Sequence, residues 1–323
     1  MKAAILSQPG LAHLAVREVA DPSAGPGEVL VRMRAATLNY RDTLVVEGGY
    51  GSHQRSENLI PLSDGAGEVV AVGDGVRRFA TGDRVVANFF QGWLAGAPDP
   101  EKLSTGLGGR IDGVAAELRV FPENGLAHTP AHLSDAEAAA LPCAGLTAWS
   151  AVVTHGLVQP GDVVLTQGSG GVSVFALQFA KLAGAEVIAT SSSAPKLERL
   201  RSLGADHLVD YRAVPEWARV AREVTAGRGV DHVVEVGGGG TLEQSIKAVR
   251  PGGTISLIGV LSGASHEFRL PLVVTREIRL QGITCGSYEQ FEAMLRAIAA
   301  SEMRPALDET RFTLETLPAA IAH

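Results

Sequence analysis

The stretch Gln167 to Ser173 reads QGSGGVS, directly after the apolar run VVLT and directly before the helix-like FALQFA. Three glycines, Gly168, Gly170 and Gly171, spaced by Ser169 and followed by Val172, suit a backbone that turns tightly and comes close to a ligand. Between a strand and a helix, such a turn offers the free amides of the helix start to a pyrophosphate, so the chemistry needs main chain and not side chains. The usual dinucleotide spacing has a glycine where this chain has Ser173, which is still small enough for close helix packing. The competing reading is a glycine-rich corner without a ligand; the flanking strand and helix patterns favour the nucleotide.

The next apolar run, EVIAT, bears on which dinucleotide is bound. An NAD site commonly ends this strand on a carboxylate that accepts from the adenosine ribose. Here the chain continues with Thr190, Ser191, Ser192 and Ser193, then Lys196. Hydroxyls and an ammonium satisfy a 2'-phosphate that a carboxylate would repel, which points to NADP(H). The alternative is a Ser/Pro helix start followed by a solvated lysine. Gly237 to Gly240 follow VVEV, and Gly259, Val260 and Leu261 follow TISLI, so both groups fall after strand-like runs, where a cofactor would lie. Four consecutive glycines also read as a mobile connection.

The elements that must position these residues change character along the chain. In the first 120 residues, EVLVRMRAA, GEVVAVGDGV, GDRVVANFF and VAAELRVF are too short for typical helices and are bounded by turn residues, so they read as strands of a β-rich domain. SDAEAAAL, from Ser134, carries a helix cap with Glu137 three residues on. From Gly161 the pattern alternates: VVLT, EVIAT, HLVD, DHVVEV and TISLIGV are separated by VFALQFAKLAG, KLERLRSLG and LEQSIKAVR. Strands alternating with amphipathic helices predict a parallel sheet covered on both faces. The expected architecture is α/β, with a dinucleotide-binding domain over residues 126–260 and a split domain of residues 1–125 and 261–323. REIRLQGIT and FEAMLRAIAA are read as the segment that returns the chain to the first domain.

Bulk properties narrow the setting. The 323 residues, 46% of them apolar, are enough to fill two cores. A formal net charge of −7 disfavours nonspecific capture of nucleic acid or an anionic membrane. Two cysteines make neither a disulfide framework nor a four-cysteine zinc lobe. The start MKAAILSQPG lacks the apolar core of an export signal, and no apolar stretch reaches eighteen residues, so a cytoplasmic protein without a membrane partner is expected.

Six stretches carry a family resemblance: AATLNYRD at 35–42, PLSDGAGEVVAVG at 61–73, LPCAGLTAW at 141–149, VVLTQGSGGVS at 163–173, LGADHLVDY at 203–211 and GSYEQF at 286–291. In this order and spacing the chain resembles the medium-chain dehydrogenase/reductase superfamily over nearly its whole length, and within it the zinc-free quinone oxidoreductase branch. The resemblance implies a Rossmann-type nucleotide-binding domain with a β-rich GroES-like catalytic domain, hydride transfer in the cleft, and a homodimer. In the family's zinc alcohol dehydrogenases, the first metal ligand is a cysteine where this chain has Asn39. The second is the histidine of a glycine-histidine-glutamate motif, where this chain has Ser63 followed by Asp64. Cys143 matches the third ligand position, but one thiolate does not hold a catalytic zinc, so no metal is expected. The family's structural-zinc cysteine cluster is likewise missing from residues 88–112.

The resemblance further implies an orienting amide at Asn39 and a hydrogen-bond donor or proton relay at Tyr40. It carries Ser192, Lys196 and Tyr211 onto the 2'-phosphate and Thr147 onto the cofactor side. Asn39 as a turn former, Tyr40 as packing and Cys143 as an inert thiol are the plainer alternatives. Asp64 is read as orienting a substrate group, against a structural loop carboxylate. Phe89 and Trp93, with Phe90, read either as one wall of an apolar substrate cleft or as packing beneath a loop, and Leu261 and Tyr288 as approaching the cleft from the returning segment.

Without zinc, the acceptor itself must be polarised. A quinone or α,β-unsaturated carbonyl takes hydride at a conjugated carbon and develops charge on an oxygen that hydrogen bonds stabilise, whereas alcohol oxidation needs a base or metal for the hydroxyl proton. The expected activity is reduction of a small apolar quinone or enone by NADPH. The alternatives are a zinc-free alcohol or aldehyde reductase and a noncatalytic NADPH-binding or RNA-associated protein.

Overall fold

Period-two burial along short strands decides the first of two units. In the computed structural model, which describes residues 1–265, 267 and 270–323, the chain divides into Met1–Leu146 with Gly286–His323, and Thr147–Cys285. In the first unit β1 (Lys2–Leu6) pairs antiparallel with β2 (Leu14–Glu18). β3 (Glu28–Thr37), β4 (Asp64–Val72), β5 (Arg84–Ala87), β6 (Leu118–Pro122) and β7 (Leu126–His128) form an antiparallel sheet in the order β6-β3-β4-β5-β7. Val29 and Val31 of β3 face inward while Arg32 and Arg34 face solvent, and with Val69, Val85, Leu107, Phe121 and Leu126 they fill the core. Each such side chain, fully buried, contributes about 1.5–3 kcal/mol.

The Ser134 cap is present: Ser134 N donates to Glu137 Oε2 at 2.7 Å and Glu137 N to Ser134 Oγ at 3.3 Å. The α-helix it starts runs only from Asp135 to Ala139, and the chain then takes π-helical turns over Leu141–Gly145 and Ser150–His155. Pro142 has no amide hydrogen for the regular ladder, and π turns recur where helices serve sites.

In the second unit β8 (Val163–Gln167), β9 (Glu186–Ser191), β10 (His207–Asp210), β11 (Val230–Glu235), β12 (Val249–Leu257) and β13 (Arg279–Gly282) form a parallel sheet in the order β10-β9-β8-β11-β12-β13. Every residue of β8 and β11 is buried, as befits strands covered on both faces. Helices Gly171–Leu182, Ala194–Ser202, Trp217–Val224 and Leu242–Ala248 follow β8, β9, β10 and β11. Strand order reverses between β8 and β11, the switch point beside which open α/β sheets bind ligands. Within β11 the His232 ring is buried with no partner on either nitrogen, and burial pushes its pKa down to about 4.

Two expected boundaries move. Leu126–His128 pair with β5, so the first unit extends to Leu146 and not to residue 125. REIRLQGIT does not return the chain: Thr254–Leu257 pair in parallel with Arg279–Gly282, which adds a sixth strand and carries the second unit to Cys285 instead of residue 260. The return begins at Gly286, where helix Tyr288–Ser301 is anchored to the first unit by Tyr288 N donating to Trp93 O at 2.8 Å. Among the described residues no helix is long and apolar enough to cross a membrane.

Candidate active site

β8 ends at Gln167, and the chain turns through Gly168, Ser169 and Gly170 before the helix starting at Gly171, whose next residue is Val172. Gly168 has φ 74°, a left-handed value that glycine adopts without strain. A Cβ placed on Gly168 or on Gly170 would meet no atom within 4 Å, so the backbone faces open space where phosphates need room. The first-turn amides of the 12-residue helix have no partners within it, which suits an anion. Ser173 is buried and its Oγ donates to Gln167 O at 2.5 Å, so the serine that replaces the usual glycine ties helix to strand. The residues present fit a pyrophosphate.

Ser191, which ends β9, is buried, and beyond it Ser192 is half-buried and Lys196 exposed; Tyr211 is 40% exposed, and its amide donates to Ser191 O at 3.1 Å. The carboxylate of Asp210 is turned into its own turn, where Oδ1 accepts from Arg212 N at 2.9 Å and Ala213 N at 3.4 Å. Thr147, the first residue of the second unit, is buried, whereas Val260 and Leu261 are both exposed. Close packing accounts for Gly237 and Gly259: a Cβ there would lie 2.2 Å from Thr241 Oγ1 and 2.2 Å from Val236 O. The run from Gly237 is also pinned, and is no mobile connection, because Gly237 N and Gly238 N donate to Glu235 Oε1 at 2.8 and 2.9 Å. Glu235 and its partner Gln167, both buried at strand ends, escaped the sequence reading; the only trace was a polar residue closing each of two apolar runs.

A second cluster forms in the first unit. Leu62 is held at φ 68°, and the backbones of Gly108 and Gly113 press against it: a Cβ on Gly113 would fall 1.8 Å from Leu62 O. This left-handed leucine turns the next two side chains inward, and Ser63 and Asp64 are fully buried. Asp64 accepts from Ser63 Oγ at 2.6 Å and from Cys143 N at 2.9 Å. Asn39 caps helix Tyr40–Glu47, its backbone N–H donating to Asp42 Oδ2 at 2.7 Å. Asn39 Nδ2 is buried without a hydrogen-bond partner, although the side chain is near enough to Asp64 to help hold that carboxyl down. Asp42 also faces buried Arg41 at 3.4 Å, whose guanidinium donates to Leu107 O and Gly108 O and lies 4.6 Å from the Tyr50 ring centre and 5.0 Å from that of Phe89. Tyr40, by contrast, is 59% exposed and stands outside this buried cluster.

Three expected cleft residues belong to the interior of the unit instead. Phe89 is buried beside Arg41, in a cation–π contact. Trp93 is buried and its Nε1 donates to Gly96 O at 2.9 Å. The Tyr288 hydroxyl is shared among Leu126 O at 2.9 Å, Glu292 Oε1 at 2.7 Å and the Arg78 guanidinium, and burial pushes the phenol up to about 12. Their hydrogen bonds and packing fasten loop to helix and leave little surface for a substrate.

Burial also dominates the two aspartates. It pushes Asp64 up to about 7, helped by the Asp42 charge and opposed by the hydrogen bonds from Ser63 and Cys143 and by the nearby Asn39 side chain. It pushes Asp42 up to about 6, against the pull of Arg41 and the Asn39 amide. Asn39, Ser63 and Cys143 offer an amide, a hydroxyl already donating to Asp64, and one thiol, a donor set that does not fit a catalytic zinc. Among the described residues no three His, Cys, Asp or Glu side chains converge as a metal set.

The alcohol dehydrogenase GroES-like domain family matches residues 25–131, and the zinc-binding dehydrogenase family matches residues 171–300. A zinc-type alcohol dehydrogenase-like protein of Schizosaccharomyces pombe is 42% identical over 88% of this chain and 84% of its own. The chain belongs to the medium-chain dehydrogenase/reductase superfamily. Within that superfamily, a chloroplastic quinone-oxidoreductase of Triphysaria versicolor is 37% identical over 70% of this chain and 63% of its own. The crystal structure of a candidate alcohol dehydrogenase from Sinorhizobium meliloti 1021 matches with a TM-score of 0.93 and 41% identity, over 100% of this chain and 95% of that one. The chain is thus an oxidoreductase of a superfamily that binds NAD(P), with the GroES-like domain and the mixed α/β fold that the sequence led us to expect.

The titration of Asp64 has a measurable consequence. Its carboxyl titrates near 3.8 when unfolded and near 7 when folded, so its contribution to stability is full below pH 3.8 and declines as the pH rises to about 7. Asp64→Asn keeps the geometry, carbonyl toward Cys143 N and amide toward Ser63, and does not ionise. In urea denaturation across a pH series, the stability of the variant relative to the wild type should rise by roughly 2–4 kcal/mol between pH 4 and 7 and then level off. A difference independent of pH would contradict the burial account.

Proposed function

We propose that the chain is an NADPH-dependent, zinc-independent reductase of small apolar quinones or α,β-unsaturated carbonyls, working in the cytoplasm as a homodimer. The observation that carries this reading is the buried, unpartnered Nδ2 of Asn39 in a cluster where Ser63 Oγ and Cys143 N are already committed to Asp64. A donor held in place and denied other partners suits an oxygen on which charge develops, and such donors act most strongly where water is excluded. When bound, the nicotinamide supplies the hydride. The chain's own residues bind and orient: the amides around Gly168 to Val172 hold the pyrophosphate, and Ser192, Lys196 and Tyr211 surround the 2'-phosphate. The end of β9 supports the choice of NADPH, since it runs through Thr190 and Ser191 into Ser192, with no carboxylate to compete for the ribose. The donor set at Asn39, Ser63 and Cys143 supports independence from zinc. The relative named a quinone-oxidoreductase supports the acceptor class, and those named alcohol dehydrogenases keep unconjugated carbonyls as the second reading.

The test is oxidation of NADPH and of NADH by metal-stripped protein with a quinone, an enone and a simple aldehyde, with product analysis. Coupled turnover of the quinone or enone is expected, with NADPH preferred. Lys196→Ala should raise the KM for NADPH about tenfold, the worth of one charge-assisted hydrogen bond, and leave that for NADH unchanged. Turnover of the aldehyde alone would establish the second reading; activity only after zinc is restored would refute independence from metal.

Support for the homodimer comes from β13 at the end of the sheet and from Leu270 and Val274, 63% and 71% exposed on helix Leu270–Thr275. In sedimentation velocity the wild type should run at about twice the chain mass of 33.6 kDa, and Val274→Asp should shift it toward the monomer. A monomeric wild type would refute this part of the reading.

A further inference from the structure

We infer that Glu235 is a positioning residue for the dinucleotide turn, acting through Gln167 on the backbone from Gly168 to Ser173. The inference rests on the dinucleotide reading of that turn.

Glu235 closes β11, is fully buried, and its carboxylate is surrounded by neutral donors. Oε1 accepts from Gly237 N at 2.8 Å, Gly238 N at 2.9 Å and Thr241 Oγ1 at 2.5 Å; Oε2 accepts from Gln167 Nε2 at 2.7 Å and from Ser245 Oγ. Gln167 closes β8, and its side chain is satisfied at both ends. Nε2 also donates to Ser245 Oγ at 2.9 Å, and Oε1 accepts from Val236 N and Gly237 N, each at 3.3 Å. Its main chain is fixed as well, because Gln167 O receives Ser173 Oγ at 2.5 Å and the next amide, Gly168 N, donates to Thr190 O at 2.8 Å.

Gln167 is therefore the shared end of two anchors. Its side chain fastens β8 to the turn after β11, and its carbonyl fastens the strand to the first turn of the helix. The glycine-rich turn between has more conformational freedom to lose than any other kind of backbone. Clamping both of its ends reduces the ordering left to be done when a ligand binds, which raises affinity without a new contact. Glu235 touches neither ligand nor reacting atoms; it holds the clamp in register.

The donor and acceptor pattern supplies a sharp test. In Glu235→Gln the oxygen keeps Gly237, Gly238 and Thr241, but the new amide nitrogen faces Gln167 Nε2, donor against donor. Flipping the Gln167 amide only moves the conflict to Val236 N and Gly237 N, which cannot reorient. Adding Gln167→Glu removes the conflict: the carboxylate at position 167 accepts from Val236 N and Gly237 N on one oxygen and from the amide at position 235 on the other, at unchanged net charge.

Two readouts apply to the wild type, Glu235→Gln, and the double variant Gln167→Glu with Glu235→Gln. The first is the Kd for NADPH and for NADH; the second is amide hydrogen exchange over residues 168–173 in cofactor-free protein. The single variant should bind NADPH about tenfold or more weakly and exchange faster at the turn, as expected when a buried polar group is left mispaired, and the swap should restore slow exchange. Thr241→Val, which removes one donor and keeps the shape, should move both readouts in the same direction by a smaller factor and serves if Glu235→Gln does not fold. Unchanged exchange at the turn in Glu235→Gln or Thr241→Val, or a swap that leaves exchange fast, would overturn the inference. If the wild type binds neither nucleotide, the dinucleotide reading fails, and the exchange readout still decides whether the clamp exists.

Discussion

Removing a carboxylate from water is costly unless hydrogen bonds or opposite charge replace the lost hydration, and three aspartate or glutamate side chains of this chain are buried to 1% exposure or less at the positions that matter. Asp42, Asp64 and Glu235 meet that demand differently. Glu235 gathers two backbone amides, two hydroxyls and an amide side chain, and fastens together the carboxyl ends of two neighbouring strands. Asp64 has a hydroxyl and a single backbone amide, with Asp42 close by, and its carboxyl is pushed up to about 7. Glu235 is met by a full shell of donors, whereas Asp64, with fewer, is the carboxyl that burial pushes up.

Both solutions arrange backbone and side chains that are not themselves charged. In the second unit the result is a turn whose glycines face open space while its ends are held through Gln167. In the first, the left-handed Leu62, pressed by Gly108 and Gly113, brings Ser63 and Asp64 beneath the helix cap at Asn39, whose Nδ2 is a buried donor left without a partner. Strain at Leu62 and the unmet donor are the kind of local disadvantage that persists only where the surrounding packing enforces it.

Much of this was legible in the sequence because the features were periodic or were written in glycine. Alternation in EVLVRMRAA and continuous apolar runs in VVLT and DHVVEV separated a half-buried antiparallel sheet from a parallel one covered on both faces. The turn at Gly168 was visible because positive φ and close approach select one residue type. The misplaced features share another property: their role depends on which neighbour they meet. Arg279–Gly282 is a strand of the second unit only because β12 offers it an edge. Phe89, Trp93 and Tyr288 follow the same apolar pattern whether they face a ligand or a core, and only the contacts with Arg41, Gly96 and Leu126 decide between the two. Glu235 and Gln167 are single polar residues at strand ends, and a lone residue carries no period.

The role proposed for the Asn39 carboxamide is to donate to the acceptor oxygen as charge builds there. The most direct measurement is kcat for an enone with metal-stripped Asn39→Ala, alongside the Kd for NADPH. That role predicts a fall in kcat of about 10²–10³, the usual loss for one preorganised donor, with cofactor affinity unchanged. A kcat within twofold of the wild type would contradict it.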